Sequence, residues 1–391
     1  MAEIPPIPYS VLIVGGGMYV TGRNAQGYRG TLGPAVLEAA RAGLVGRVGV
    51  LTTRAETADQ AVAELTALAK EMAVDMPIEA LSGPLDQVMA RFRPDAAMVS
   101  VPDHLHASVV VPLARAGVHC LVVKPMADTL EAARAMTQAA VEGGVIGQVE
   151  FHKRLDESNL VLRDVIARDE LGQLQYAVIE YSQKKLVPRE AFRAWAANSN
   201  IFQYLGVHYI DLLQWATGFV PVRVTAWGQK DYLAGLGLDT WDSMQVVVEW
   251  DRPEGGRFVS THITNWIDPD EKTAMSDQSI NVVGTKGRYQ ADQKRRGIDL
   301  VTDGAGSRHL NPYFTQAYRD PLTQALRFDG YGIKSVTQFL GDVAALRLGR
   351  VSVEALAGVR PSFAQCQIST AVLEAALSSL RQGSIPVEVM K

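Results

Sequence analysis

The sequence predicts an α/β protein in which an N-terminal doubly wound parallel sheet is followed by an α+β domain with a mostly antiparallel open sheet. Its 391 residues exceed the size at which one hydrophobic core keeps growing, so we expect two domains, over residues 1–150 and 151–391. Short β-branched runs alternate with Ala-rich helical segments in the first of these. In the second, longer runs alternate between polar and apolar residues.

The expected strands of the N-terminal domain are continuous apolar runs, as in parallel sheets that are covered on both faces. These strands are SVLIV, VGVLTT, AAMVSVP and CLVVKP. The helical segments that separate or follow them are PAVLEAARAGL, ADQAVAELTALAKEMA, HASVVVPLARAG and TLEAARAMTQAAVEG. This alternation is typical of βαβ units and predicts the doubly wound sheet.

The expected strands of the C-terminal domain alternate in polarity, as in a sheet with one buried face. They are QYAVIEYSQ, VRVTAWGQ, MQVVVEW and RFVSTHITNW. Segments 333–347 and 363–381 have a helical pattern, and we expect the second of them to pack back on the first domain. The polar tract 264–278 predicts a long connection that caps a site or forms a subunit contact.

The composition favours an ordered protein that binds small molecules. The chain is 47% hydrophobic and 20% charged, and its formal net charge of -4 argues against a nucleic-acid partner. Cys120 and Cys366 match neither a zinc spacing nor a disulfide framework, so we interpret them as buried structural thiols, and we predict no metal. Without a signal-peptide pattern or a membrane-spanning stretch, we expect a cytoplasmic protein with no membrane partner.

A glycine turn follows the first expected strand. Gly15 and Gly17 occupy the first two places of the dinucleotide pattern G-x-G-x-x-G, and a bare backbone there lets a pyrophosphate approach the amides. Val20 stands in the third place, so we expect the run through Gly33 to form a longer loop before the helix. We predict cofactor contacts from both glycines and from Met18; the alternative is a plain structural turn.

The end of the second strand indicates which dinucleotide is bound. An acid at this place would grip the ribose 2′-hydroxyl of NAD, but the sequence has Thr53 and Arg54. A guanidinium can pair with a 2′-phosphate, so the sequence slightly favours NADP over NAD. The alternative is that Arg54 is a solvated surface charge.

Three further segments carry short motifs: VSVPDHLHA (residues 99–107), VVKP (residues 122–125) and LGVHYIDLLQWATG (residues 205–218). Taken with the glycine turn, they resemble the family of glucose–fructose oxidoreductase, inositol dehydrogenase and MocA-type proteins. Residues 99–107, VSVPDHLHA, are similar to the family's V-x-P-x-x-x-H stretch. Residues 122–125, VVKP, resemble its E-K-P signature, with Val123 in place of the usual acid. Residues 205–218, LGVHYIDLLQWATG, resemble its G-x-H-x-x-D-L-x-x-W-x-x-G helix, which is the most specific of the three.

The resemblance covers nearly the whole chain and carries several implications. Family members bind NAD or NADP in a Rossmann domain, act on sugars, inositols or their derivatives, and often associate through the open faces of their C-terminal sheets. It therefore implies a carbohydrate substrate, a homodimer or homotetramer, and cofactor contacts from Pro102, His106 and Lys124. Where the family places Asp, four residues before the motif histidine, this chain has Tyr204, so we expect altered substrate contacts there.

His208 and Lys124 are the predicted catalytic residues. Oxidation of a secondary alcohol needs a base beside the cofactor, and an imidazole can take and return the proton near neutral pH. Lys124, at the end of a parallel strand, can orient the hydroxyl and stabilise alkoxide character. Without the resemblance, the helical spacing around His208 would favour a core histidine.

Lys153, Arg154, Tyr204 and Asp211 are the predicted substrate-binding residues. The cations of residues 152–154 follow a strand that leads toward the site, and further cations at residues 184, 185, 189 and 193 would suit an acidic sugar. The alternatives are a solvated or subunit-contact face for the cations and a solvated helix charge for Asp211.

Two other functions share the expected scaffold. One is a glycoside-cleaving enzyme that oxidises its sugar transiently on a tightly held NAD. The other is a regulatory protein that senses nucleotide without chemistry, since a fold alone does not decide function. The presence of both Lys124 and His208 argues against the sensor, whereas Tyr204 in place of Asp keeps it as an alternative. The glycoside-cleaving enzyme also stays open as an alternative.

Overall fold

The structure is a computed structural model that describes residues 8–23, 28–193, 195–304 and 306–390. The chain divides into two compact units, and each is assembled from several segments. The first unit takes its described residues from Met1–Ala127, Glu131–His152 and Tyr313–Cys366. The second takes them from Asp128–Leu130, Lys153–Pro312 and Gln367–Lys391.

The strands, in chain order, are β1 (Tyr9–Val14), β2 (Val45–Leu51), β3 (Ile78–Leu81), β4 (Ala96–Val99), β5 (His119–Val123), β6 (Gly147–Glu150), β7 (Leu174–Lys184), β8 (Val220–Gln229), β9 (Ser243–Asp251), β10 (Arg257–Asp268), β11 (Ser276–Gly284), β12 (Arg288–Asp292), β13 (Ile298–Thr302), β14 (Gly306–Leu310), β15 (Gln316–Arg319), β16 (Leu326–Asp329) and β17 (Val387–Glu388).

The α-helices, in chain order, are α1 (Met18–Thr21), α2 (Leu32–Arg41), α3 (Ala55–Glu71), α4 (Leu85–Phe92), α5 (His106–Arg115), α6 (Leu130–Gly143), α7 (Glu157–Ala167), α8 (Val207–Thr217), α9 (Tyr232–Gly235), α10 (Tyr331–Arg347), α11 (Val353–Val359) and α12 (Phe363–Arg381). Both helices that the sequence predicts after residue 330 are therefore present.

The first unit contains a six-stranded parallel sheet in the order β3-β2-β1-β4-β5-β6. β2 and β3 lie on one side of β1, and β4, β5 and β6 lie on the other. The switch point is therefore between β1 and β4, which is where doubly wound sheets open a crevice for ligands. β1 and β4 are completely buried and β5 is buried except at its ends, as their continuous apolar sequences predict. β3, at the edge of the sheet, has only Leu81 buried. The predicted doubly wound sheet is confirmed.

The core of the first unit joins the sheet to a helix from far along the chain. Val11 and Ile13 of β1, two residues apart and so on one face of the strand, lie in one apolar cluster with Val36 of α2. Phe339 and Leu340 of α10 belong to the same cluster. Burial of these side chains holds α10 in the first unit.

This packing differs from the continuous halves expected at residue 150. Residues Tyr313–Cys366 belong to the first unit, which otherwise ends at His152. The helix expected to pack back on the first domain was 363–381, but that place is taken by α10, and all but the first turn of α12 lies in the second unit. An apolar helix face can be seen in a sequence, whereas its partner cannot.

The second unit contains a seven-stranded mixed sheet in the order β12-β11-β7-β10-β9-β8-β17. β7 and β10 pair in parallel, and every other neighbouring pair is antiparallel. β9 and β10 alternate between buried and half-buried residues, as their alternating sequences predict. The mostly antiparallel sheet is confirmed.

The polar tract 264–278 is shorter as a connection than the sequence suggests. β10 continues to Asp268 and β11 begins at Ser276, so only residues 269–275 link them. Hydrogen bonding between strands overrides the polar composition, because an exposed strand face accepts polar side chains.

Both cysteines are buried, and burial raises the pKa of the Cys120 thiol to about 12. This agrees with their interpretation as structural thiols. Among the described residues, no helix has the length and apolar character needed to cross a bilayer. Within the same residues, no group of three or more His, Cys, Asp or Glu side chains is arranged to hold a metal ion.

Candidate active site

The glycine turn of the first unit lies directly after β1. Gly15 has a φ of +112°, and a Cβ at this residue would lie 2.1 Å from the carbonyl oxygen of Ser100, which follows β4. The Gly15 N–H donates to the carbonyl of Leu51. A side chain at Gly15 is therefore excluded. This residue lies where β1, β2 and β4 end together, at the crevice of the sheet.

Gly17 leaves its surroundings open. A Cβ built on it would have no heavy atom within 4 Å, so this backbone can be approached by a ligand. A bare turn at the switch point of a doubly wound sheet is the arrangement that dinucleotides require. The residues of the turn therefore fit NAD or NADP. Met18 begins α1 directly after the turn.

The close packing usually given by a third glycine is supplied by Gly33, in the first turn of α2. α1 ends at Thr21 and α2 begins at Leu32, so Val20 is not part of one continuous helix with α2. A Cβ on Gly33 would lie 2.4 Å from the Leu65 side chain and 2.6 Å from the Val20 carbonyl oxygen. Gly33 thus permits the close approach that Val20 cannot.

Thr53 and Arg54 are exposed at the carboxyl end of β2. Arg54 directly precedes α3, and its carbonyl accepts a hydrogen bond from the Thr52 hydroxyl at 2.6 Å. The loop is thereby fixed while the guanidinium remains exposed, so its pairing with a 2′-phosphate stays a prediction.

His106 is buried, so its ring is not an exposed part of the crevice surface. Its Nδ1 lies 3.0 Å from the Pro125 carbonyl oxygen, and its Nε2 lies 3.0 Å from the Val101 carbonyl oxygen. The ring therefore connects the segments that follow β4 and β5. Pro102, in the first of these segments, is partly exposed. Cofactor contact by Pro102 and His106 stays a prediction, and the structure adds a bridging role for His106.

Lys124 follows β5 at the carboxyl edge of the sheet, and only 9% of it is exposed. Burial lowers the pKa of its ammonium to about 8, against the opposing charges of Asp103 and Glu150, which raise it. A lysine with this pKa can hold or release a proton near neutral pH. The side chain is therefore suited to assist proton transfer.

Sequence reasoning missed a polar cluster centred on Glu150. This carboxylate is completely buried at the end of β6. The Tyr19 hydroxyl donates to it at 2.9 Å, the Ser335 hydroxyl donates at 2.8 Å, and Nδ1 of His152 lies 2.9 Å away. An acid at the end of a parallel strand was the available signal, but its partners lie far away in sequence.

His208 lies in α8 of the second unit and is 2% exposed. Its ring centroid is 6.4 Å from that of Tyr181 on β7. A π-helical turn, Phe202–Gly206, leads directly into α8, and such turns frequently occur at functional sites. His208 is thus held on a rigid element, and its role as a base stays a prediction.

Arg154 and Asp211 form a buried ion pair within the second unit. Nε of Arg154 donates to Oδ2 at 2.8 Å and Nη2 donates to Oδ1 at 2.6 Å. The guanidinium carbon also lies 5.9 Å from the Trp215 ring centroid. The solvated helix charge considered for Asp211 is wrong, because Arg154 holds it in the interior. Substrate contact by either residue stays a prediction.

Lys153 is 1% exposed and lies between aromatic rings. Its Nζ is 4.9 Å from the Tyr181 ring centroid and 5.3 Å from that of Tyr209, and it donates to the side-chain oxygen of Gln278. These contacts compensate the buried charge by cation–π attraction and hydrogen bonding. A solvated face is therefore wrong for Lys153, and its contact with an acidic sugar stays a prediction.

Tyr204 belongs to an aromatic cluster in the second unit. Its ring centroid lies 4.8 Å from that of Phe192 and 5.9 Å from that of Trp266. The ring is only partly buried, so it can offer an apolar surface as well as a hydroxyl. Tyr204 therefore differs from an aspartate in shape as well as charge.

Two family models match this chain. The model described as the oxidoreductase family with an NAD-binding Rossmann fold matches residues 10–151. The model of the GFO/IDH/MocA C-terminal domain matches residues 160–290. This chain belongs to the GFO/IDH/MocA family of oxidoreductases. The resemblance drawn from the glycine turn and the three motifs is confirmed.

Curated relatives in this family match much of the chain. Inositol 2-dehydrogenase from Rhizobium meliloti is 25% identical over 329 residues, which make up 81% of this chain and 96% of the relative. Inositol 2-dehydrogenase 2 from Saccharopolyspora erythraea is 32% identical over 259 residues, or 62% of this chain and 72% of the relative. The chain is accordingly a GFO/IDH/MocA oxidoreductase.

Solved structures share the fold along nearly the full length. A levoglucosan dehydrogenase in complex with NADH and levoglucosan has a TM-score of 0.71 and 17% identity, covering 98% of this chain and 100% of that one. A myo-inositol dehydrogenase from Corynebacterium glutamicum has a TM-score of 0.68 and 19% identity, covering 98% and 99%. At these identities the likeness concerns the fold.

Proposed function

We propose that this family member is an NAD(P)-dependent dehydrogenase of a sugar, inositol or sugar acid. It interconverts a secondary alcohol and a ketone, or a lactol and a lactone. The observation that carries the proposal is the buried ammonium of Lys124, whose pKa is lowered to about 8 by burial at the carboxyl edge of the parallel sheet. This is the edge at which doubly wound sheets bind their ligands.

The glycine turn and the end of β2 would hold the dinucleotide. Gly15 and Gly17 would place their bare backbone against the pyrophosphate, with Met18 beside it. The bound nicotinamide supplies the chemistry of accepting or returning a hydride. Pro102 and the segments bridged by His106 would line the nicotinamide end.

The chain's own side chains move the proton and hold the substrate. His208 takes the hydroxyl proton as general base in the oxidative direction and returns it in the other. Lys124 donates a hydrogen bond to the reacting oxygen and stabilises the negative charge that develops on it. The proposed substrate-binding residues are Lys153, Arg154, Tyr204 and Asp211.

The carbohydrate class of the substrate is supported by the named activities of the relatives. The two curated relatives described above are inositol dehydrogenases, and a structural neighbour is a levoglucosan dehydrogenase. All of these names describe polyhydroxylated rings. The partly buried Tyr204 ring supports the same class, because sugar rings present an apolar face to aromatic side chains.

We further propose a slight preference for NADP. Thr53 and Arg54 are exposed where a carboxylate would otherwise hold the 2′-hydroxyl, and a guanidinium attracts a 2′-phosphate. Structural neighbours are described with NAD or NADH, so the preference rests on this chain's own residues. Arg54→Ala should raise the KM for NADP while leaving the KM for NAD nearly unchanged.

The deciding experiment is an absorbance assay for reduced nicotinamide. Wild type, Lys124→Met and His208→Ala are each offered NAD and NADP with a panel of sugars, inositols and sugar acids. We expect reduction by wild type and a loss of at least about a hundredfold in each variant, as for removal of an acid–base group. Equal rates in His208→Ala would remove His208 as the base.

The alternatives give different outcomes when glycosides are added to the panel and the release of free sugar is measured as well. Hydrolysis products without accumulation of reduced nucleotide would indicate the glycoside-cleaving enzyme. Nucleotide binding with neither outcome across the panel would indicate the sensor and overturn the proposed dehydrogenase.

We also propose a homodimer or homotetramer that uses the half-exposed face of the seven-stranded sheet. Tyr176 is 40% exposed and Trp227 is 46% exposed on this face. Large apolar residues on an open sheet favour association. Light scattering should give a mass of two or four chains for wild type, and Trp227→Glu should reduce it. A wild-type monomer would contradict the proposal.

A further inference from the structure

Lys124 follows the middle one of three neighbouring strands, and an acid follows or ends each flanking strand. The sheet order is β4-β5-β6, with Lys124 directly after β5. Asp103 lies in the turn that follows β4 and is 8% exposed, while Glu150 ends β6 and is completely buried. The carboxyl ends of parallel strands meet at one edge, so the cation lies between two carboxylates.

β5 brings no carboxylate of its own to this place. In the register of the sheet, Glu150 is the partner of Val123, the apolar residue just before Lys124. The negative charge beside the lysine must therefore come from neighbouring strands. Glu150 is the acid at that register position.

The environment of Glu150 compensates the burial of its charge. The Tyr19 and Ser335 hydroxyls donate to its two oxygens, and His152 lies within hydrogen-bond distance. Burial, and next the Glu150 charge, raise the pKa of Tyr19 well above its usual value, so this hydroxyl keeps its proton. These hydrogen-bond donors hold the Glu150 carboxylate in place, and its negative charge still acts on Lys124.

We propose that Glu150 is a positioning residue that, together with Asp103, keeps the Lys124 ammonium charged and in place for the reaction. The inference rests on the proposed function for its catalytic meaning. The pKa of Lys124 is a balance in which burial lowers it and the charges of Asp103 and then Glu150 raise it. The other titratable groups that face the cluster are Tyr19, Tyr28, His106 and His152.

Chemical labelling of Lys124 tests the proposal without substrate or cofactor. Only a neutral amine is acylated, so the rate of acetic anhydride labelling of the Lys124 peptide, followed by mass spectrometry across pH, reports the ammonium fraction. At pH 7 we expect Lys124 to be labelled about three- to tenfold faster in Glu150→Gln than in wild type. Loss of a nearby opposite charge lowers a lysine pKa by about one unit, which raises the fraction of neutral amine by about this factor. Asp103→Asn should change the rate in the same direction.

Two matched controls retain the charge. Tyr19→Phe and Ser335→Ala each remove one hydrogen bond from Glu150 but leave the carboxylate, so Lys124 should label as in wild type. The exposed Lys70, measured in the same spectra, corrects for reagent and pH. Thermal melts establish that each variant is folded. If Glu150→Gln does not fold, Glu150→Met removes the charge together with the need for hydrogen bonds.

A folded Glu150→Gln or Glu150→Met protein whose Lys124 labels at the wild-type rate would overturn the proposal. Faster labelling also in Tyr19→Phe and Ser335→Ala would overturn it, because packing rather than charge would then control Lys124. Where a substrate is in hand, the alkaline limb of the kcat/KM profile should move to lower pH in Glu150→Gln. If the substrate assay fails while labelling shifts, the proposed function fails and the role of Glu150 stands.

Discussion

Arg154 and Asp211 are joined by two parallel hydrogen bonds of 2.8 and 2.6 Å in the interior of the second unit. Their side chains are 5% and 1% exposed, so neither charge is hydrated to any useful extent. The pair connects the segment after β6 to α8, the helix that carries His208. Such a pair specifies geometry more than it adds stability.

Removal of only one partner should nevertheless destabilise the protein strongly. We expect Asp211→Ala to lower the free energy of unfolding by about 3–5 kcal/mol, because the Arg154 guanidinium would remain buried without its counter-charge. Urea unfolding followed by circular dichroism measures the change. Arg168 and Asp164, which are 58% and 62% exposed, provide the matched surface pair.

Asp164→Ala should change the free energy of unfolding by about 0–1 kcal/mol, as is usual for exposed pairs. Similar effects of Asp164→Ala and Asp211→Ala would contradict a structural role for the buried pair. A stable Asp211→Ala protein with a greatly raised KM would instead favour the predicted substrate contact.

The glycine turn allows binding to be separated from folding. Gly15→Ala would place a Cβ 2.1 Å from the Ser100 carbonyl oxygen at a φ of +112°, so we expect a loss of stability of about 1–3 kcal/mol or more. Gly17→Ala meets no heavy atom within 4 Å and should melt like wild type. The methyl group introduced by Gly17→Ala should nevertheless weaken dinucleotide binding, which calorimetry measures. Wild-type affinity in Gly17→Ala would argue against nucleotide at this turn.

The fold could be predicted because its signals are local. The run SVLIV becomes part of β1, and the alternating run MQVVVEW becomes part of β9, since strand burial is written directly in the period of the side chains. The place of α10 could not be predicted. Its apolar face was visible, but any apolar surface of either domain could have covered it.

The candidate site divides in the same way. Lys124 and His208 stand in short motifs and could be found from sequence. The hydrogen bonds that Glu150 accepts from Tyr19 and Ser335 span 131 and 185 residues, so no local pattern marks them. The sequence predicts Arg154 and Asp211 as separate substrate contacts, because these residues are 57 positions apart and their pairing depends on tertiary structure.

Lys124 should reduce stability at neutral pH while serving activity. Burial lowers its pKa from 10.5 to about 8, so the unfolded chain binds more protons than the folded one between these values and stability rises with pH across that window. We expect Lys124→Met to be more stable than wild type at pH 7, by at most about 3 kcal/mol, and inactive. This advantage should shrink between pH 8 and 10 in urea titrations.

Lys70→Met is the control for the Lys124 comparison, because this lysine is exposed on α3. Its stability difference from wild type should stay constant with pH. A constant difference for Lys124→Met as well would show that the ammonium is not strained by burial in the folded protein.

His262 should contribute to acid sensitivity. It is completely buried on β10, its Nε2 lies 2.9 Å from the Ser260 hydroxyl, and the Trp250 indole donates to the same hydroxyl at 2.8 Å. Burial lowers the pKa of His262 from 6.5 to about 3. The unfolded chain therefore takes up a proton below pH 6.5 that the folded chain does not, and stability falls as the pH falls from 6.5 toward 3.

Between pH 7 and 5, this one residue should lower the free energy of unfolding by about 2 kcal/mol. His262→Phe, which keeps a ring in the buried position, should lose less stability than wild type by that amount over the same interval, whatever its stability at pH 7. The exposed His104 gives the control, since His104→Gln should follow the wild-type pH dependence. If His262→Phe loses stability in parallel with wild type, the acid sensitivity must come from carboxylates rather than from a histidine held neutral in the sheet.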